Sequence, residues 1–310
     1  MTTIVFVSRQ PGEAEALWLA ALSAAMPELS VRLLRNLSAE ARQAVEVAIV
    51  ANPDPADLAL LPNLKWVHSV WAGVERLVAE LGTEAPPIVR LVDPELARTM
   101  AEAVIAWTYY LQRDMPAYAA AQKARRWEPL AYRRPDHMTV GLLGLGALGV
   151  AAALRLSEAG FKVMGWSRTP KDIPGVDART DLRGVLSASD IVICLTPLTE
   201  QTRGLLDAER LGWMKPGAAL INFARGPIIV TGDLLAALDA GHLSHVVLDV
   251  FDQEPLPADS PLWGHSAVTV LPHISAVTDR GTASVIVADN IRRWLAQGDL
   301  PQTVDMTRGY

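Results

Sequence analysis

The sequence has little of what a disulfide scaffold, a metal centre or a membrane protein needs. Among 310 residues there is one cysteine, Cys194, so neither an internal disulfide nor a multi-cysteine metal site can form. That cysteine lies inside the apolar run IVICL and reads as a core residue. No stretch of about 18 apolar residues occurs, and the opening MTTIVFVSRQ lacks the basic leader and apolar run of a secretory signal. The expectation is a cytoplasmic protein without a membrane partner. An excess of positive charge is missing too: 28 Lys and Arg stand against 34 Asp and Glu, a formal net charge of −6, which speaks against a nucleic-acid partner. His68, His137, His242, His245 and His265 lack metal-ligand spacing and read as structural or surface residues, so no metal is expected.

What is present is alternation, in a chain whose length favours two domains. Through the first hundred residues short β-branched runs alternate with helical patterns: TIVFV, EAEALWLAALSAAM, VRLLR, VEVAIV, LKWVHSV and PIVRLV. A second series opens at Thr139 with TVGLLG and continues through FKVMGW, DIVICL, AALINF, HVVLDV and AVTVLP. Such alternation predicts βα units around parallel sheets, and therefore an α/β protein. Between the series, PELARTMAEAVIAWTYYLQR has helical character and RRWEPLAYRRPD reads as a loop. DRGTASVIVADNIRRWLAQG predicts a C-terminal helix that can return to the first domain.

The second series carries a phosphate-binding signature. Gly144-Leu145-Gly146-Ala147-Leu148-Gly149 is a G-x-G-x-x-G that follows a strand and opens the helix ALGVAAALRLSEAG. Gly144 permits the tight turn, Gly146 lets a pyrophosphate approach the backbone, and Gly149 lets the helix pack on the strand. The free N–H groups at Ala147 and Leu148 and the helix dipole then face the phosphate. An NAD-binding protein places an acid about 20 residues on, to hold the ribose hydroxyls. Here that place holds Ser167, Arg168 and Thr169, followed by Lys171. The missing carboxylate removes repulsion toward a 2′-phosphate, and Arg168 adds a fork of donors that Ser167, Thr169 and Lys171 can supplement. A charge-assisted bond of about 1.5–3 kcal/mol converts to roughly a ten- to hundredfold preference for NADPH over NADH.

Three further stretches hold polar groups that their surroundings do not require: INFARGPIIV with Arg225, LDVFDQEPLP with Glu254 and VLPHISA with His273. Each follows a predicted strand. In a doubly wound sheet the carboxyl ends of strands face the ligand crevice, so the three can converge on the nicotinamide. Alone, each has an ordinary structural explanation; together, behind a cofactor fingerprint, they predict a site.

At these residues the chain resembles the D-2-hydroxyacid dehydrogenases. The resemblance rests on GLLGLGALG, TPLTEQTRGLL, NFARGPIIVTGDLLAALDAGHL, LDVFDQEPLPADSPLW and LPHISA, and extends to WVHSVWAGVERL and the terminal VDMTRGY. Together these look like the glyoxylate/hydroxypyruvate reductase A branch. The resemblance implies a Rossmann-type NADP-binding domain at 98–280 and a flavodoxin-like substrate-binding domain at 1–97 completed by 281–310, with an active site shared by the two. It also implies a homodimer contacting through the second domain and the helices near 100–125, where Trp107, Tyr109 and Tyr110 suit that contact or, equally, an interdomain core.

The roles it implies agree with the chemistry. His273 would protonate the keto oxygen as hydride reaches the carbon. Glu254 would accept a bond from the other ring nitrogen and fix the tautomer. Arg225 would bind the substrate carboxylate and carbonyl. Thr196 and Pro197 would lie near adenosine and ribose, and Asp249 near the nicotinamide amide. Backbone N–H groups at Trp71, Ala72 and Gly73 would hold the substrate carboxylate, with the Trp71 indole either walling a small pocket or simply packing. Leu271 stands where the family more commonly has Thr. The implied activity is NADPH-dependent reduction of small 2-keto acids, glyoxylate and hydroxypyruvate, to 2-hydroxy acids. Its rivals are a dehydrogenase for another D-2-hydroxy acid and a catalytically silent dinucleotide-binding regulator, which would need none of the three charged residues together.

Overall fold

The apolar runs form two all-parallel sheets in a computed structural model that describes residues 3–9, 11–82 and 85–309. Tyr310, the last residue of VDMTRGY, lies outside that set. The chain divides into two units, one of Met1–Glu95 with Thr278–Tyr310, the other of Leu96–Val277. No helix of the described residues is long and apolar enough to cross a membrane.

In the first unit β1 (Thr3–Ser8), β2 (Ser30–Leu33), β3 (Val47–Ala51), β4 (Trp66–Ser69) and β5 (Ile88–Val89) run in the order β2-β1-β3-β4-β5. That order is flavodoxin-like. All five residues of β3 and all four of β4 are buried, as expected of central strands covered by helices on both faces. On one face the helices Glu13–Ala25 and Arg280–Gln297 bring Trp18, Leu22, Ala283, Val287 and Ile291 onto Phe6, Ile49 and Trp66. The C-terminal helix is capped by Asp279, whose carboxylate accepts from the Thr282 N–H at 2.9 Å, and it stops at Gly298, where φ is +76°.

The second unit holds β6 (Thr139–Leu143), β7 (Lys162–Trp166), β8 (Val176–Arg179), β9 (Ile191–Cys194), β10 (Ala218–Asn222), β11 (Leu243–Leu248) and β12 (Val268–Val270). Their order is β12-β11-β10-β9-β6-β7-β8, so the winding reverses between β6 and β9. This is the switch point at which Rossmann-type sheets bind dinucleotides. Strand β8 is an addition to the sequence expectation: VDAR is half exposed and too polar to signal a strand, and it is held as an edge by its register with β7. The stretch PELARTMAEAVIAWTYYLQR forms the helix Pro94–Gln112, and a second helix, Met115–Lys123, follows a break at Asp114, where φ is +54°. Leu96, Met100, Val104, Thr108 and Leu111 make the buried stripe of the longer helix.

Candidate active site

Two of the three predicted glycines of the dinucleotide loop have a steric reason to be glycine. Gly144 turns with φ +106°, a conformation L side chains rarely adopt, and a Cβ there would lie 2.9 Å from the Leu195 carbonyl carbon. At Gly149 a Cβ would fall 1.9 Å from the Gly144 carbonyl oxygen, so the helix Ala147–Glu158 can start this close to β6 only without a side chain. At Gly146, by contrast, a Cβ meets nothing within 4 Å: the space lies open above the helix N-terminus, with Ala147 exposed and Leu148 half-buried beside it. Across the switch point, buried Thr196 follows β9, and its Oγ1 has no hydrogen-bond partner among the described residues. An open glycine, helix N–H groups and an orphaned hydroxyl fit a dinucleotide with its phosphates at the helix N-terminus.

At the end of β7, the Ser167 N–H is tied to the Arg179 carbonyl at 3.0 Å and its hydroxyl donates to the Thr169 carbonyl at 2.5 Å. Arg168, Thr169 and Lys171 are exposed. Arg168 Nη1 donates to Gln201 Oε1 at 2.5 Å, and Gln201 sits in the loop after β9. Thr202 braces that loop: its hydroxyl donates to the Pro197 carbonyl at 2.7 Å and accepts from the Thr199 N–H at 2.8 Å. Gln201 thus joins the corner assigned to the 2′-phosphate, and a polar side chain in a loop gave no sequence signal for it.

The three charged candidates stand past the ends of β10, β11 and β12, which are neighbours in the sheet. His273 Nδ1 lies 2.7 Å from Glu254 Oε2, while Glu254 Oε1 accepts the Phe251 N–H at 2.9 Å. The carboxylate is therefore fixed by the backbone and holds the proton on Nδ1, which leaves Nε2 to act outward. The imidazole is 49% exposed and Glu254 36%, enough for a ligand to reach them. Arg225 is half-buried, with Nη1 donating to the Ala224 carbonyl at 2.6 Å. Measured along the sheet, the Arg168 strand and the Glu254 strand are four spacings apart, roughly 19 Å, a span that an extended dinucleotide covers.

Asp249 is the acid that the family resemblance puts near the nicotinamide. It is fully buried, and its oxygens accept the N–H groups of Ile274 at 2.7 Å and Ser275 at 2.8 Å. In the first unit the Trp71 N–H is committed to Ser69 Oγ at 3.0 Å, so it is the amides of Ala72 and Gly73 that have no partner among the described residues. The Trp71 ring meets Trp18 edge-on, 5.5 Å between centroids, and packs on the core of its own unit. Asn222, buried at the end of β10, was not foreseen: its Oδ1 accepts the Ala224 N–H at 3.1 Å and its Nδ2 donates to the Arg225 carbonyl at 3.0 Å. An amide closing an otherwise apolar strand, AALIN, was the available clue.

A Rossmann-type sheet with a phosphate loop at its switch point and an Arg, Glu and His set along the same edge defines a dinucleotide-dependent dehydrogenase. The chain belongs to the D-isomer specific 2-hydroxyacid dehydrogenase family, whose NAD binding domain matches residues 105–275. It is 36% identical over 302 residues to glyoxylate/hydroxypyruvate reductase A of Yersinia enterocolitica, covering 94% of this chain and 96% of that protein. A D-isomer specific 2-hydroxyacid dehydrogenase from Xanthobacter autotrophicus Py2, solved with NADPH and MES, superposes with a TM-score of 0.91 at 40% identity, covering 100% of this chain and 99% of that one. The NADPH-dependent glyoxylate/hydroxypyruvate reductase of Sinorhizobium meliloti, solved with NADP and sulfate, gives 0.91 at 32% identity over 100% of both chains.

Proposed function

We infer that the protein is an NADPH-dependent reductase of small 2-keto acids, glyoxylate and hydroxypyruvate, yielding the 2-hydroxy acids. The observation that carries this is the His273–Glu254 pair beside Arg225 on the sheet edge that also bears the dinucleotide loop. The relatives described above, reductases of those two acids and proteins solved with NADPH or NADP, support it.

When bound, the cofactor supplies the hydride. Gly144, Gly146 and Gly149, with the N–H groups of Ala147 and Leu148, would hold its pyrophosphate, and Thr196 and Pro197 its adenosine side. Ser167, Arg168, Thr169 and Lys171, with Gln201, would hold the 2′-phosphate. Arg225 grips the substrate carboxylate and polarises the keto oxygen. His273 delivers a proton from Nε2 to that oxygen, and Glu254 Oε2 stabilises the charged ring through Nδ1. The domain at 98–280 is the cofactor domain in this reading, and 1–97 with 281–310 the substrate domain, in a protein that works in the cytoplasm.

The same reading makes the protein a homodimer. Trp107 and Tyr110 pack on the core of their own unit, but Tyr109, Met115, Tyr118, Leu130 and Tyr132 are exposed, and Trp127 is 99% exposed. So apolar a face on one helix pair and its following loop suits a second copy; sedimentation should give twice the monomer mass, and Trp127→Ala should weaken the association. The functional test is NADPH oxidation across a panel of keto acids, repeated with NADH. Glyoxylate and hydroxypyruvate should lead the panel with NADPH favoured, and equal use of both cofactors would overturn the cofactor assignment.

A further inference from the structure

We propose that Asn222 and Asp249 are positioning residues, a linked pair of buried brackets that set the turns bearing Arg225 and His273. This rests on the roles given to those two residues above.

Asn222 ends β10 and is 1% exposed. Its side chain spans the turn it begins, accepting from Ala224 and donating to the carbonyl of Arg225. That local bridge fixes the direction in which Arg225 leaves the strand. Without it, the buried Ala224 N–H loses its partner and the Arg225 carbonyl keeps only the Ile228 N–H at 3.3 Å; an unpaired buried donor costs more than the bond itself contributes.

Asp249, directly after β11, does the corresponding work one strand over. Its oxygens hold the N–H groups of the two residues that follow His273. His273 has φ +57°, in the left-handed region, where a non-glycine residue persists only when its surroundings impose the conformation. The two amide bonds to a buried carboxylate impose it, and the turn they hold presents Nδ1 to Glu254. Each oxygen of Asp249 accepts one of these bonds and keeps lone pairs for more, so the bracket leaves room for the nicotinamide contact that the family resemblance implies here.

The brackets are joined. The Asp249 N–H donates to the Asn222 carbonyl at 3.1 Å. At Gly226, next to Arg225, a Cβ would lie 2.0 Å from the Phe251 carbonyl carbon, so the Arg225 turn rests directly on the backbone whose N–H fixes Glu254. Guanidinium, carboxylate and imidazole are therefore placed by one continuous frame of backbone contacts and hydrogen bonds, anchored on the buried Asn222 and Asp249.

The test is steady-state glyoxylate reduction by the full-length protein, with turnover expressed per NADPH site titrated by fluorescence. Asp249→Asn replaces one acceptor with an NH2 group that faces a backbone donor. It should lower kcat at saturating NADPH about a hundredfold, the cost of a misplaced group. Asn222→Ala should act through Arg225 and raise the glyoxylate KM. Asn222→Asp, which keeps the acceptor and the volume, should do so less, and it remains informative if Asn222→Ala does not fold. The readout that a purely structural role would not share is epistasis: Asp249→Asn should cost nothing further in a His273→Ala background, nor Asn222→Ala in an Arg225→Ala background. If Asp249→Asn weakens NADPH binding while kcat at saturating NADPH holds, Asp249 is a cofactor ligand and the proposal fails. Undiminished losses in the single-mutant backgrounds also overturn it. Should His273→Ala and Arg225→Ala themselves keep wild-type turnover, the functional reading fails instead.

Discussion

At the carboxyl ends of its strands the first unit offers backbone amides, at Ala72 and Gly73, whereas the second offers charged side chains, at Arg225, Glu254 and His273. Both are parallel sheets covered by helices, so the difference does not come from architecture. It comes from what the buried polar groups do. In the first unit they tie elements together: Asn290 Nδ2 meets His68 Nε2 at 2.9 Å, Thr282 donates to Asp93 at 2.7 Å, and Arg35 clasps buried Glu15 at 2.5 and 2.8 Å. In the second, Asn222 and Asp249 spend their bonds on turns that carry charge. In the proposed function one scaffold thus serves recognition by main chain or chemistry by side chain, according to where its few interior hydrogen-bonding groups are spent.

If the second unit carries the chemistry, the largest effects belong there. Arg225→Ala should cut kcat/KM for glyoxylate by about a hundred- to thousandfold, the usual toll of losing a charge-stabilising donor; a loss confined to a few-fold would blur the contrast between the units. At the far end of the same sheet edge, Arg168→Ala should erode the NADPH-over-NADH preference by roughly ten- to hundredfold. Retained preference would move the 2′-phosphate elsewhere.

The first unit should instead reveal itself through stability. Burial lowers the His68 pKa to about 4, against a smaller opposing effect of the Ser69 carbonyl. The folded form therefore binds fewer protons than the unfolded one between about pH 4 and 6.5, so this stability is present above 6.5 and lost as pH falls. The loss approaches about 3 kcal/mol, and hydrogen exchange of the β4 amides should quicken across that window. His68→Gln should flatten the dependence, and an unchanged slope would refute it. Buried His245, also near 4 through burial and the nearby His265, gives the second unit a comparable acid sensitivity through its own amides. The smallest effect is expected of Trp71→Phe, which keeps an aromatic ring against Trp18. It should leave the glyoxylate KM close to wild type, and a large rise in KM would restore the indole as a pocket wall.

Much of this was readable before any coordinates. The apolar runs marked every strand but β8, whose residues VDAR carry their pairing in backbone register rather than in hydrophobicity. Glycine spacing marked the phosphate loop because Gly144 and Gly149 answer steric demands that no other residue meets, while Gly146 leaves its space open. Arg225, Glu254 and His273 stood out as charges at strand ends. What stayed hidden were partnerships across the sequence. Asp249 stands out only through the family resemblance, and nothing in the sequence tells that Ile274 and Ser275 fold back onto it or that the Trp71 ring turns inward to Trp18. Local chemistry leaves a trace in composition, but a hydrogen bond spanning twenty-five residues does not.

The most direct measurement compares wild type and His273→Ala for NADPH oxidation by glyoxylate, alongside NADPH affinity. The account predicts turnover lower by about two to four orders of magnitude with cofactor binding intact. Near-normal turnover would show that another group delivers the proton and that the His273–Glu254 pair is not the centre of this site.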